Sequence, residues 1–183
     1  MSTSTFPPNN SPVQTQSKEE YIMTTTKTTA FSPKAQQSNF LEKVQAHAGF
    51  PDIYDARDFS VVVFRTLRDL MTTEMSDSIA RDLEFTPISI QSDKSLNGNV
   101  AQLWNDTNPL VSWLSRLRGP LNVTTDRFLR RTIEEGGGLP NGITPEAAIQ
   151  AVFHVTKAEL SPTSEREIFD VLPPEIAQLW KAA

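Results

Sequence analysis

The chain contains no cysteine. Disulfides, thiolate metal sites and cysteine nucleophiles are thereby excluded, and the redox state of its compartment leaves no trace in the sequence. It has only two histidines, His47 and His154, too few to build a His-rich metal centre. No apolar run approaches the roughly 18 to 20 residues needed to cross a bilayer. No apolar stretch near the N-terminus reads as a secretory signal, so a cytoplasmic location is expected. Without an export signal, the acceptor-like triplets Asn105-Asp106-Thr107 and Asn122-Val123-Thr124 read as chance. Excess basic charge is also missing. There are 17 lysines and arginines against 22 aspartates and glutamates, a net −5, which opposes a dedicated nucleic-acid binder.

What remains is a chain of 183 residues, enough for one domain with a tail or for two small units sharing a core. Residues 1–37 are rich in Ser, Thr, Gln and Pro and carry few apolar side chains. Such a segment cannot bury enough surface to offset its ordering entropy, so it is expected to be a disordered tail. Met23 stands as an alternative start. The tail has no arginine and carries Glu19-Glu20, which argues against a transit peptide.

From Ser38 onward the pattern is helical. Ser38 can cap a helix with Phe40, Leu41, Val44 and Ala48 on one face, stopped by Gly49 and Pro51. Asp55 reads as the next cap, with Asp58 at its capping-box position, before a helix carrying Val63, Phe64, Leu67 and Met71. Thr72 or Thr73 opens a third helix with Met75, Ile79 and Leu83. Residues 85–98 read as a loop, because Pro87, Asp93, Asn97 and Gly98 interrupt the period. A short helix holds Leu103 and Trp104. Asn108-Pro109 opens another that Gly119-Pro120 ends, with Leu110, Trp113, Leu114 and Leu117 as its stripe. Thr125 or Asp126 caps a helix containing Phe128, Leu129 and Ile133, which runs into Gly136-Gly137-Gly138. Thr144-Pro145-Glu146 then opens a helix to Leu160, and Ser161-Pro162 opens one that stops at Leu172-Pro173-Pro174.

A shift of 89 places lays the second half on the first. Pro140 falls on Pro51, Val152-Phe153 on Val63-Phe64, Leu160 on Met71, Ser161 on Thr72, Ile168 on Ile79 and Leu172 on Leu83. Ala-Gln-Leu-Trp occurs at 101–104 and at 177–180, with the register offset by the inserted loop. The expected fold is all-α: two quasi-repeated helical units forming one compact bundle behind a disordered tail. Repeat one covers about 38–106, a basic joint 107–124, and repeat two about 125–183.

The order helix, glycine–proline turn, helix, capped helix, then a Leu-Pro-Pro-Glu segment ending in Leu-Trp resembles the bacterial family called domain of unknown function 2267. The carrying residues are Leu67-Arg68-Asp69-Leu70, Leu160-Ser161-Pro162, Leu172-Pro173-Pro174-Glu175 and Leu179-Trp180, over about Ser38 to Trp180. The resemblance implies an all-α two-repeat module with no assigned activity, so it supplies no catalytic residue.

No constellation in the chain demands a reaction. Gly136-Gly137-Gly138 follows a helix and lacks the Lys-Ser/Thr of a phosphate loop, so it reads as a helix stop. Glu134 and Glu135 are neighbours on a helix and point to different sides. Trp104, Trp113 and Trp180 lie on apolar faces and read as core. No catalytic residue, metal site or cofactor is expected. The least ordinary feature is basic: Arg116, Arg118, Arg127, Arg130 and Arg131 share segment 107–131 with a single acid, Asp126. The stretch 38–106 has six basic and eleven acidic residues, and 132–183 has three and eight. Three readings of this joint stay open: internal ion pairing, docking of an acidic protein or lipid surface, and contact with nucleic-acid phosphates, the last opposed by net charge. The expectation is a non-enzymatic protein-interaction or scaffold module with an acidic protein partner, whose docking patch is this arginine cluster. The alternative is an enzyme using a carboxylate or His154 in a cleft between the repeats.

Overall fold

The computed structural model describes residues 1–3, 39–91, 93–105 and 119–183. The expected disordered tail, the Ser38 cap and the expected helix of residues 109–118, with Trp113, Arg116 and Arg118, lie outside the described residues. Residues 37–183 form one unit.

Helix α1 spans Phe40–Ala48. The residue before it, Asn39, stands at the N-cap but supplies no side-chain cap. Instead the carbonyls of Pro87 and Ile88 accept the Phe40 and Leu41 N–H groups, so the long loop satisfies the donors that a helix start leaves open. That loop is therefore docked: Ile88 and Leu96 are buried, the latter in a single 3-10 turn, Lys94–Leu96. Gly49 ends α1 at φ 74, a left-handed conformation that costs a side-chain-bearing residue strain.

Helix α2 runs Ile53–Arg68. Its cap is Asp52, whose carboxylate accepts from the Tyr54 and Asp55 N–H groups at 2.8 and 2.9 Å. This corrects the expected Asp55 cap and Asp58 capping box. Aspartates at 52, 55 and 58 can each accept from a helix start, and packing chooses among them. Capping at Asp52 adds a turn that brings Ile53 and Ala56 into the core. The helix also stops before Met71, in tighter turns from Leu70 to Leu67 and Met71 to Arg68.

Helix α3 is Thr73–Leu83, capped by Thr72 as expected, and α4 is Val100–Trp104, capped by Asn99. Helix α5, Thr125–Glu135, is capped by Thr124, correcting the expected Thr125 or Asp126. The Thr125 hydroxyl is engaged elsewhere, on the Glu175 carboxylate, which leaves Thr124 to accept from the Arg127 N–H. Helix α6 is Pro145–Lys157 behind Thr144, α7 is Pro162–Val171 behind Ser161, and α8 is Pro174–Ala182. Among the described residues everything regular is helical apart from one isolated bridge, Pro87 to Asn99, so the fold is all-α.

Phe64 on α2 and Phe153 on α6 anchor the core, both with no exposed surface. Phe64 packs on Trp104 of α4 at 5.2 Å between ring centroids and on Phe40 of α1 at 5.7 Å. Phe153 packs on Trp180 of α8 at 4.9 Å. Helix α1 lies against both α2 and α6, and α5 against both α6 and α2. Helices α1 and α5 thus each cross between α2 and α6. An ion pair marks each crossing: Lys43 of α1 reaches Glu159 beyond α6 at 3.2 Å, and Arg131 of α5 reaches Asp69 beyond α2.

Helices α3 and α7 are in contact. Asp82 of α3 accepts from the Ser161 N–H at 2.9 Å and its hydroxyl at 2.7 Å, placing a carboxylate at the α7 start, where the helix dipole favours it. Desolvation pushes the Asp82 pKa up, but hydrogen bonds from Ser164 and Ser161 outweigh it and hold the group below its ordinary value. A depressed folded pKa stabilises above the unfolded carboxylate pKa, and that stability is lost as pH falls through the folded value. Asp82→Asn should therefore cost about 1 kcal/mol at pH 7, the usual worth of such hydrogen bonds. Urea unfolding of both proteins at pH 7 and near pH 2 should show the gap closing in acid. A gap that is the same at both pH values would mean that the charge contributes nothing.

Candidate functional site

Helix α5 is strongly two-faced. Phe128 and Thr132 are buried, and Leu129 and Ile133 are half-buried beside them. Arg127, Arg130 and Glu134 occupy the opposite, exposed face. The segment folds this way because Phe128, Leu129, Thr132 and Ile133 are the only positions there that can enter the core at helical spacing.

The arginines expected to act together are separated by the structure. Arg131 sits on the shoulder of α5 with its side chain 26% exposed. It pairs with Asp69, and at 2.8 Å with Glu135, which also receives Arg65 of α2 at 3.3 Å. Desolvation works against its charge, but the Glu135 and Asp69 bonds outweigh this and raise its pKa further. Arg131 thus belongs to a network tying α5 to α2. Among the described residues Arg130 pairs only with Glu134, at 3.9 Å, with both side chains about two-thirds exposed. Arg127 is exposed and has no ion-pair partner among the described residues. Arg116 and Arg118, the other members of the cluster, lie outside the described residues.

Beside the α5 start, an open groove of about 660 Å3 runs between Leu121–Asp126 and Val171–Glu175. A second, of about 560 Å3, lies where α1, the docked loop and the α6–α7 turn meet, and it holds Asn39, Lys43, Asp82 and Glu159. These polar groups already bind one another: Lys43 and Thr86 both donate to Glu159, and Asp82 accepts from Ser161.

His154 lies elsewhere, on the outer surface of α6 where α1 and the end of α8 approach. Its ring stands 4.6 Å from that of His47, centroid to centroid. Its Nδ1 is 2.9 Å from the Ala183 oxygen. The small pocket there, about 250 Å3, is lined by no aspartate or glutamate. Among the described residues no group of three or more histidine, aspartate or glutamate side chains converges at one point that could hold a metal ion. The two histidines stand on different helices, α1 and α6, and only the packing of those helices brings them together.

A family model described as an uncharacterized conserved protein, DUF2267, matches residues 37–179. The chain belongs to the DUF2267 family. The DUF2267 match begins just before α1 and ends inside α8, so it takes in all eight described helices, the α5 arginines and the His47–His154 contact. No curated protein matches the chain. Within this DUF2267 domain, no described helix is long and apolar enough to cross a membrane.

Proposed function

We propose that this DUF2267 chain is a cytoplasmic, non-enzymatic interaction module that docks an acidic protein surface through Arg127 and Arg130 of α5. The observation that carries this reading is the isolation of those two guanidinium groups. Near a helix N-terminus the dipole disfavours positive charge, so helix stability does not account for them. Among the described residues their one ion-pair partner, Glu134, is distant and solvated, and pairs of that kind contribute little. Arg131 is set aside from the docking face because its charge is already used by Asp69 and Glu135.

The same reading divides the domain into two quasi-equivalent repeats, about 38–106 and 125–183, on either side of a basic joint at 107–124. Support comes from paired features at the 89-residue shift. The caps Thr72 and Ser161 correspond, as do the C-terminal ends of α2 and α6, and the left-handed glycines Gly49 and Gly138. Phe64 corresponds to Phe153 at that shift, and the tryptophans they pack on, Trp104 and Trp180, correspond at a shift of 76. Such a module leaves the outer face of α5 to a partner.

The test is a comparison of partner capture from native lysate by the full chain and by Arg127→Glu/Arg130→Glu. The reversal should weaken capture of an acidic partner at least about tenfold, wild-type capture should itself fall with added salt, and the helical circular-dichroism signal should be unchanged. Arg166→Glu, a reversal on the exposed face of α7, should leave capture intact. Capture that is indifferent to the α5 reversal would remove the docking assignment.

A further inference from the structure

The chain has two histidines in all, and the fold brings them together from different helices, with ring centroids 4.6 Å apart and planes inclined at 52°. His47 lies in the last turn of α1 and His154 in the last part of α6. Both are exposed, so neither is held there by core packing. The corresponding place in the other half shows what usually closes such a crossing. A shift of 89 places carries Arg65 onto His154, and a shift of 88, the one that relates Phe40 to Phe128, carries His47 onto Glu135. Arg65 and Glu135 form an ion pair at 3.3 Å. At the α1–α6 crossing two imidazoles stand in its place, and they cannot attract each other by opposite charge.

The hydrogen bond of His154 adds a second, independent observation. The Ala183 oxygen can only accept, so the His154 Nδ1 must carry the proton and donate. In the neutral imidazole this sets the Nδ1–H tautomer and leaves the Nε2 lone pair for another ligand. An imidazole whose one nitrogen donates to an oxygen while the other presents a lone pair is the arrangement found in metal-ligating histidines. The neighbouring pocket, about 250 Å3 and open to solvent, gives room for an ion and its waters. We propose that His47 and His154 form a two-histidine site for a divalent late transition cation, Zn2+, Ni2+ or Cu2+, which clips α1 to α6. Imidazole nitrogen suits these ions, and Mg2+ and Ca2+ prefer oxygen ligands. With two protein ligands, water completes the coordination. Cu2+ binds most tightly, following the general order of affinities for such donors.

The site stands on geometry separate from the α5 docking face, so either can fail without the other. The test uses the untagged full chain, stripped of metal with chelator, and titrated with Zn2+, Ni2+ or Mg2+ alone by calorimetry and by thermal unfolding. Zn2+ and Ni2+ should bind at one ion per chain and raise the melting temperature, and Mg2+ should do neither. At free Zn2+ one hundred times its Kd, the unfolding equilibrium constant should fall about 100-fold, because the unfolded chain does not hold the two rings together. His47→Gln and His154→Gln should each weaken binding at least about tenfold, and the double variant should abolish the melting shift. Should a variant fold poorly, Cu2+ added to the wild-type chain should broaden backbone nuclear magnetic resonances near His47 and His154 before any others. No saturable binding, binding retained by the folded double variant, or broadening centred elsewhere would overturn the proposal.

Discussion

Replacing Phe64 or Phe153 by alanine should lower the unfolding free energy by about 3–5 kcal/mol in each case. Both rings are fully buried, and each packs against a tryptophan, Trp104 of α4 for Phe64 and Trp180 of α8 for Phe153. The loss has two sources, the transfer free energy of the ring and the cavity its neighbours cannot close. Aromatic pairing adds roughly another 0.5–1.5 kcal/mol, already contained in that range. Domains of this size are stable by only about 5–15 kcal/mol, so either variant should sit near the limit of folding. Urea denaturation followed by circular dichroism measures both. Comparable losses are expected, because the two sites are built alike. A loss below about 1 kcal/mol at one of them would mean that the two phenylalanines do not hold corresponding places.

The second large effect is expected at Asp69. Its side chain is 12% exposed, and its partner Arg131 also binds Glu135. Fully buried pairs lose about 3–5 kcal/mol when one member is removed, and partial exposure of Arg131 reduces this to about 2 kcal/mol for Asp69→Asn. The pair at the other crossing, Lys43 and Glu159, is more exposed, and Glu159→Gln should cost about 1 kcal/mol. A double-mutant cycle of Asp69→Asn with Arg131→Gln isolates the interaction and should give a coupling of about 1–2 kcal/mol. A coupling near zero would place Arg131 among the solvated surface charges and return it to the candidate docking face.

Much of the helical order was legible because this chain marks its helix starts. Thr72, Thr144 and Ser161 each precede a helix, the last two followed by proline, and each accepts the backbone N–H expected of a cap. Where several capping residues stand in series, local chemistry is degenerate. Asp52, Asp55 and Asp58 differ little as caps, and burial of Ile53 and Ala56 decides between them. Thr124, Thr125 and Asp126 are likewise alternatives until Glu175 takes the Thr125 hydroxyl. The stretch 85–98 was legible as irregular but not as structural. Its proline, asparagine and glycine report broken periodicity, and nothing local reports that its carbonyls close the α1 N-terminus.

The candidate site was legible only on one side of α5. Phe128 and Leu129 indicate the buried face, so the outward direction of Arg127 and Arg130 follows from helical spacing. That Arg131 is drawn into a network could not be read, because Asp69 lies 62 residues away and Arg65 on yet another helix. Charge counts along the chain identify a basic joint but cannot say which acids fold back upon it. The His47–His154 contact is hidden for the same reason: it exists only through the packing of α1 on α6.

The docking role of α5 is tested most directly by mapping where an acidic partner sits. The captured partner should be titrated into the isotope-labelled full chain, with backbone amide shifts followed by nuclear magnetic resonance. The account predicts the largest shifts along the outer face of α5, at Arg127, Arg130 and Glu134, diminishing as salt is raised. A footprint that leaves α5 unmoved and falls on α3, α7 or the docked loop would contradict it.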